Sequence, residues 1–153
     1  LNLATGTAGL SGFQNVGELV SGASNLGNTA SGVMNNIRGV ANIGGGANPL
    51  ANLGFANSGN GNIGDANLGA YNFGFGNTGS GNIGPANLGA YNIGLGNLGN
   101  YNFGFANAGN NNLGFANTGN DNFGVGLTGT GLIGIGALNS GAGNVGLCNS
   151  GTG

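Results

Sequence analysis

The decapeptide Tyr71-Asn-Phe-Gly-Phe-Gly-Asn-Thr-Gly-Ser80 decides the fold. It consists of two pentads of the form x-Asn-x-Gly-x, the first bulky and the second small. Outward from it, Asn recurs at every fifth residue from Asn52 to Asn122, and a Gly follows two residues after each, from Gly54 to Gly124. The Gly series runs on to Gly129 and Gly134, where Leu127 and Leu132 stand in place of Asn. Self-similarity at a fixed short period marks a repeat architecture.

Two longer periods lie over the first. Bulky and small pentads alternate, as in Tyr101-Asn-Phe-Gly-Phe105 before Ala106-Asn-Ala-Gly-Asn110, which suggests a ten-residue unit. Ala66-Asn-Leu-Gly-Ala-Tyr-Asn returns as Ala86-Asn-Leu-Gly-Ala-Tyr-Asn, which suggests twenty. Residues 1–40 form an irregular start with Ser-Gly at 11, 21 and 31; residues 41–136 form the regular array; residues 137–153 are register-shifted terminal repeats. The Gly register slips by two residues within Ile37–Gly46 and again between Gly134 and Gly141, and these slips are expected to be loops or turns of different length.

A period of five fits neither the 3.6 of a helix nor a long strand. Gly in every pentad costs a helix roughly 1 kcal/mol each relative to Ala. Within a pentad the chain alternates as a very short strand does, with Phe73 and Phe75 on one side and Gly74 on the other. Asn and Gly tolerate the positive φ of a bend. The expected fold is all-β: a parallel β-solenoid of stacked pentapeptide repeats with ten- or twenty-residue coils, pairing its backbone between coils at about 4.8 Å. The alternation of bulky and small pentads favours ten. The pentad centre is the expected inward slot: Leu53, Ile63, Leu68, Phe73, Ile83, Leu88, Ile93, Leu98, Phe103, Leu113, Phe123 and Ile133. Asn62, Asn72, Asn82, Asn92, Asn102, Asn112 and Asn122 are expected to stack as a ladder, sharing amide hydrogen bonds.

Composition narrows function. Of 153 residues 40 are Gly and only 3% are charged: Glu18, Arg38, Asp65 and Asp121. Without His or Lys the usual general bases and Schiff-base nucleophiles are missing, so no enzyme, catalytic residue or cofactor is expected. One Arg cannot displace the counterions of a nucleic acid, so no nucleic-acid partner is expected. Cys148 has no second Cys and no His beside it, so neither a disulfide nor a metal site is expected. A net charge of −2 with 39% hydrophobic residues favours collapse over disorder. No Lys/Arg-led apolar stretch opens the sequence, which starts without Met; the expectation is a fragment whose export signal lies upstream.

These residues resemble two families. Ala66-Asn-Leu-Gly-Ala70 and Ala86-Asn-Leu-Gly-Ala90 look like the Ala-(Asp/Asn)-Leu-x-x unit of pentapeptide-repeat proteins. That resemblance implies a right-handed quadrilateral β-helix with the Leu and the preceding small residue inward; Tyr71, Tyr91 and Tyr101 depart from the small slot. Asn72-Phe-Gly-Phe-Gly-Asn-Thr-Gly79 and Asn92-Ile-Gly-Leu-Gly-Asn-Leu-Gly99 are similar to the major polymorphic tandem repeats of mycobacterial PPE proteins, strongly over residues 41–130. This second resemblance implies type VII secretion, a place at the cell surface or outer membrane, and host interaction or solute uptake. The helical domain that pairs with a PE partner has no counterpart in this sequence.

Other motifs carry less. Gly-x-Gly-x-x-Gly, as in Gly74–Gly79, Gly94–Gly99 and Gly124–Gly129, is produced by the repeat itself and lacks the strand-to-helix context of a dinucleotide site. Asp65 and Asp121 are too few for calcium loops and read as solvated turn residues. Thr78, Thr118 and Thr128 fall in the expected inward slot, which argues against an ice-binding row. Tyr71, Tyr91 and Tyr101 read as surface stacking before a carbohydrate or lipid ladder, and Glu18 and Arg38 as an end pair at most. The uncharged stretch Phe123–Leu138 reads as a thicker core, with a lipid-contacting edge as the alternative.

The expected function is a secreted surface solenoid acting in structure or interaction, in contact with envelope lipid or a host surface protein. The alternatives are an outer-membrane-associated element and end-to-end self-association through uncapped β edges.

Overall fold

The computed structural model describes residues 11–13, 15, 21–23, 31–33, 52–136 and 138–152. The chain divides into two compact units, Leu1–Gly81 and Asn82–Gly153. Each is built from parallel strands of three residues, and no helix occurs among the described residues.

In the first unit one sheet runs through Ser11–Phe13, Ser21–Ala23, Ser31–Val33, Leu53–Phe55, Ile63–Asp65 and Phe73–Phe75. Ser58–Asn60, Leu68–Ala70 and Thr78–Ser80 form its second sheet. In the second unit one sheet runs through Ile93–Leu95, Phe103–Phe105, Leu113–Phe115, Phe123–Val125, Ile133–Ile135 and Val145–Leu147. The other holds Thr118–Asn120, Thr128–Thr130 and Ser140–Ala142, and single bridges extend it through Ala108, Leu98 and Leu88.

Register settles the coil length. Phe103 pairs with Leu113 and Leu113 with Phe123, so one coil is ten residues and consists of two pentads. The twenty-residue quadrilateral coil does not form: consecutive pentads lie on two opposed sheets. The expected slip after Gly134 is a coil of twelve residues, with Thr128 opposite Ser140 and Ile133 opposite Val145. The slip within residues 37–46 lies outside the described residues.

Two pentad positions, the first and the fourth, take positive φ. The first is a left-handed corner, occupied by Gly76 at φ 64°, but also by Ala106 at 55° and Tyr101 at 58°. The fourth is Gly for a steric reason: at Gly104, φ is +124° and a Cβ would lie 1.9 Å from the carbonyl oxygen of Gly114 in the next coil. No side chain fits between coils there.

The core corrects the sequence expectation. Leu53, Ile63, Leu68, Phe73, Ile83, Leu88, Ile93, Leu98, Phe103, Leu113, Phe123 and Ile133 all point outward, between 41% and 57% exposed. The Asn row is buried instead, Asn62, Asn72, Asn82, Asn92, Asn102, Asn112 and Asn122 each at 0–1% exposure. The in-and-out alternation is present, but with the opposite sense. Each coil consists of two short pentads. Its interior is lined by backbone groups that must be hydrogen-bonded, and Asn supplies that bonding across the coil. Asn102 Nδ2 donates to the Gly109 carbonyl of the following pentad, across the coil, at 2.8 Å and to Asn92 Oδ1 at 3.1 Å. The same pattern recurs at Asn72, bonded to Gly79 O at 2.9 Å and Asn62 Oδ1 at 3.1 Å.

Leu127 and Leu132 are the buried hydrophobic residues of the described chain, each at 0% exposure. They occupy the Asn slot, and their backbone N–H groups still donate to Asn117 Oδ1 and Asn122 Oδ1. A Leu offers no acceptor to the following coil. The Asn139 N–H turns to Gly136 O within the enlarged turn instead, and Asn139 Oδ1 is buried without a partner. The register slip therefore falls where the amide ladder ends.

Candidate functional site

Because the interior is mostly polar, the large hydrophobic residues of the described chain other than Leu127 and Leu132 stand on its surface. Pentad positions three and five both point outward, and alternation of bulky and small pentads sorts them onto different faces. The bulky face of the second unit carries two columns. Ile93, Phe103, Leu113 and Phe123 continue into Ile133 and Val145; Leu95, Phe105, Phe115 and Val125 continue into Ile135 and Leu147. These twelve side chains are 41–64% exposed, and no charged residue stands among them. Phe105 and Phe115 stack with ring centroids 5.2 Å apart. Between the columns runs a furrow of about 370 Å³ over Gly94, Gly104 and Gly114.

The opposite face is more polar. Its outward positions include Thr118, Thr128 and Ser140, with Asn100, Asn110 and Asn120 beside them. Those three Asn form a second ladder that sequence reasoning missed: the Asn100 and Asn110 side chains each donate to the next at 3.1 and 3.0 Å. Their place at pentad position five was the available signal. Thr118 and Thr128 are exposed, so the expectation that they point inward is also reversed, for the same reason as for the Leu and Phe rows.

The remaining candidates are dispersed. Tyr71, Tyr91 and Tyr101 stand exposed at corners, and the rings of Tyr91 and Tyr101 stack at 5.2 Å and 14°. Asp121 is a corner residue that accepts Asn111 Nδ2 at 3.0 Å. Asp65 is a strand residue and accepts the Phe55 N–H at 3.0 Å, which corrects its reading as a turn residue. The two carboxylates belong to different units. Cys148 is exposed at a corner. The Gly-x-Gly-x-x-Gly of residues 94–99 spans a strand, a corner and a buried amide at Asn97, and no helix follows it. Glu18 and Arg38 lie outside the described residues. Phe123–Leu138 divides: Leu127 and Leu132 thicken the core, while Phe123, Ile133, Ile135 and Leu138 are exposed.

This geometry suits binding, with no constellation of reacting groups around the furrow. No curated protein and no solved structure matches the chain. A family model described as pentapeptide repeats in eight copies does, over residues 38–80, 51–90, 71–110 and 91–134. Those matches span more than half of the chain and coincide with the Asn-anchored coils, so the chain belongs to the pentapeptide-repeat family and is a structural β-solenoid domain.

Proposed function

We propose that this domain is a non-enzymatic scaffold that works by association through its bulky face, displayed at the cell envelope or surface. One observation carries the reading: a six-stranded face of large, uncharged side chains held outward by a rigid amide-bonded core. Monomeric proteins rarely leave contiguous apolar patches beyond a few hundred Å² uncovered. The similarity of Asn72–Gly79 and Asn92–Gly99 to PPE tandem repeats supports secretion and the envelope location, with envelope lipid or a host surface protein as further contacts. A second reading, lipid contact at an outer membrane, is favoured by the exposed Ile135 and Leu138, 61% and 70% accessible.

The test is association with detergent micelles, zwitterionic lipid vesicles and itself. The native chain is compared with a Phe103→Asp, Phe115→Asp variant of unchanged circular dichroism. Loss of at least one association in the variant is expected. A native chain that binds none of the three, or a variant that binds equally well, would overturn the proposal.

A further inference from the structure

We infer that the occupant of the bulky face is a second copy of this chain, packed sheet to sheet against the strands from Ile93 to Leu147; this rests on the association proposed above. Area is the first argument. Twelve side chains, each about half exposed, present about 1,000 Å² of apolar surface, against the roughly 800 Å² that each partner contributes to a stable interface. A smaller partner would leave much of that face wet.

Shape is the second. The face is two ridges, the Phe103 and Phe105 columns, separated by the furrow over Gly94, Gly104 and Gly114. A ridge of one copy fits the furrow of an identical face turned through a twofold axis. Every ridge repeats with the coil spacing, so successive side chains of the two copies interdigitate in step, as in sheets stacked about 10 Å apart. Charge is the third argument. This unit has no Lys or Arg to hold a lipid headgroup beside the face, and no charge on the face to repel its own copy. In the first unit the corresponding face is interrupted by Asp65 between Phe55 and Phe75. The interface is isologous and closes at two.

Sedimentation equilibrium of the native chain, without detergent, is expected to give twice the 14.5 kDa chain mass. Phe105→Asp with Phe115→Asp is expected to return the single-chain mass, while Leu98→Asp on the opposite face leaves the dimer. A milder route uses disulfide trapping: Leu113→Cys in a Cys148→Ser background is expected to crosslink, and Leu98→Cys in the same background is not. A monomer that binds vesicles through the bulky face overturns the dimer but leaves the association reading standing. A monomer that binds nothing overturns both. Open-ended oligomers that persist in the double Asp variant overturn the dimer in favour of end-to-end stacking.

Discussion

Asn112 lies one coil beyond Asn102 and donates to its Oδ1 twice, from the backbone N–H and from Nδ2, both at 3.0 Å. Asn102 makes the same pair of bonds to Asn92, at 3.0 and 3.1 Å. Every amide in such a stack is both donor and acceptor, so the fold is held by a repeated polar contact where most domains use an oily core. Each bond contributes about 1 kcal/mol net, while a buried partner left unmatched costs about 1–3 kcal/mol.

Asn102→Ala removes an acceptor from Asn112 and a donor from Gly109 O, and leaves a void. The expected loss is about 3–5 kcal/mol of unfolding free energy. Urea unfolding followed by circular dichroism measures it; a loss under about 1 kcal/mol would mean the ladder is not what holds the core.

Asn102→Asp keeps the shape but turns two donors into acceptors facing Gly109 O and Asn92 Oδ1. Burial disfavours the charged form, so the folded-state pKa rises above the unfolded value of about 3.9. Relative to the native chain, the deficit is smallest below about pH 4, grows as pH rises through the unfolded pKa and levels off above the folded one. Stability compared at pH 3.5 and pH 7 checks the sign.

Two glycines should respond in opposite ways. Gly104→Ala drives a Cβ into Gly114 O, and unfolding of the surrounding coils is expected. Gly96→Ala places a methyl group in open space at φ +64°, a corner conformation that Ala86 and Ala106 already adopt. Its expected cost is about 1–2 kcal/mol. Equal melting temperatures for the two variants would contradict the assigned roles.

Leu98→Ser separates an outward side chain from an inward one. Leu98 is 50% exposed, so the expected loss is under about 1 kcal/mol, against about 2–5 kcal/mol for truncating a buried Leu. Leu132→Ser supplies the buried comparison in the same urea assay.

Tyr101 holds φ at 58° and stacks on Tyr91. Tyr101→Gly relieves about 1 kcal/mol of left-handed strain and gives up about 0.5–1.5 kcal/mol of ring stacking. A melting midpoint within a few degrees of native is expected, and a large drop would assign the ring a structural role.

Much of this protein was legible in its residues. The five-residue period, the one-Gly-per-pentad rule and the large and small alternation lead to short parallel strands and a coil. The Asn row at every second position of a pentad indicated where amides stack. The register slip after Gly134 marked where coil length changes, because a two-residue insertion shifts the Gly series visibly.

What tertiary structure decided was direction. Period alone places Phe103 and Gly104 on opposite sides of a strand but does not say which side is inside. The usual rule sends Phe inward and Asn outward. A ten-residue coil reverses it, since its interior is lined by backbone carbonyls that must be hydrogen-bonded, and the Asn amide bonds them where an apolar side chain cannot. That reversal also made the surface: Ile93, Phe103, Leu113, Phe123 and Ile133, taken for a core, stand on the apolar face through which association is proposed.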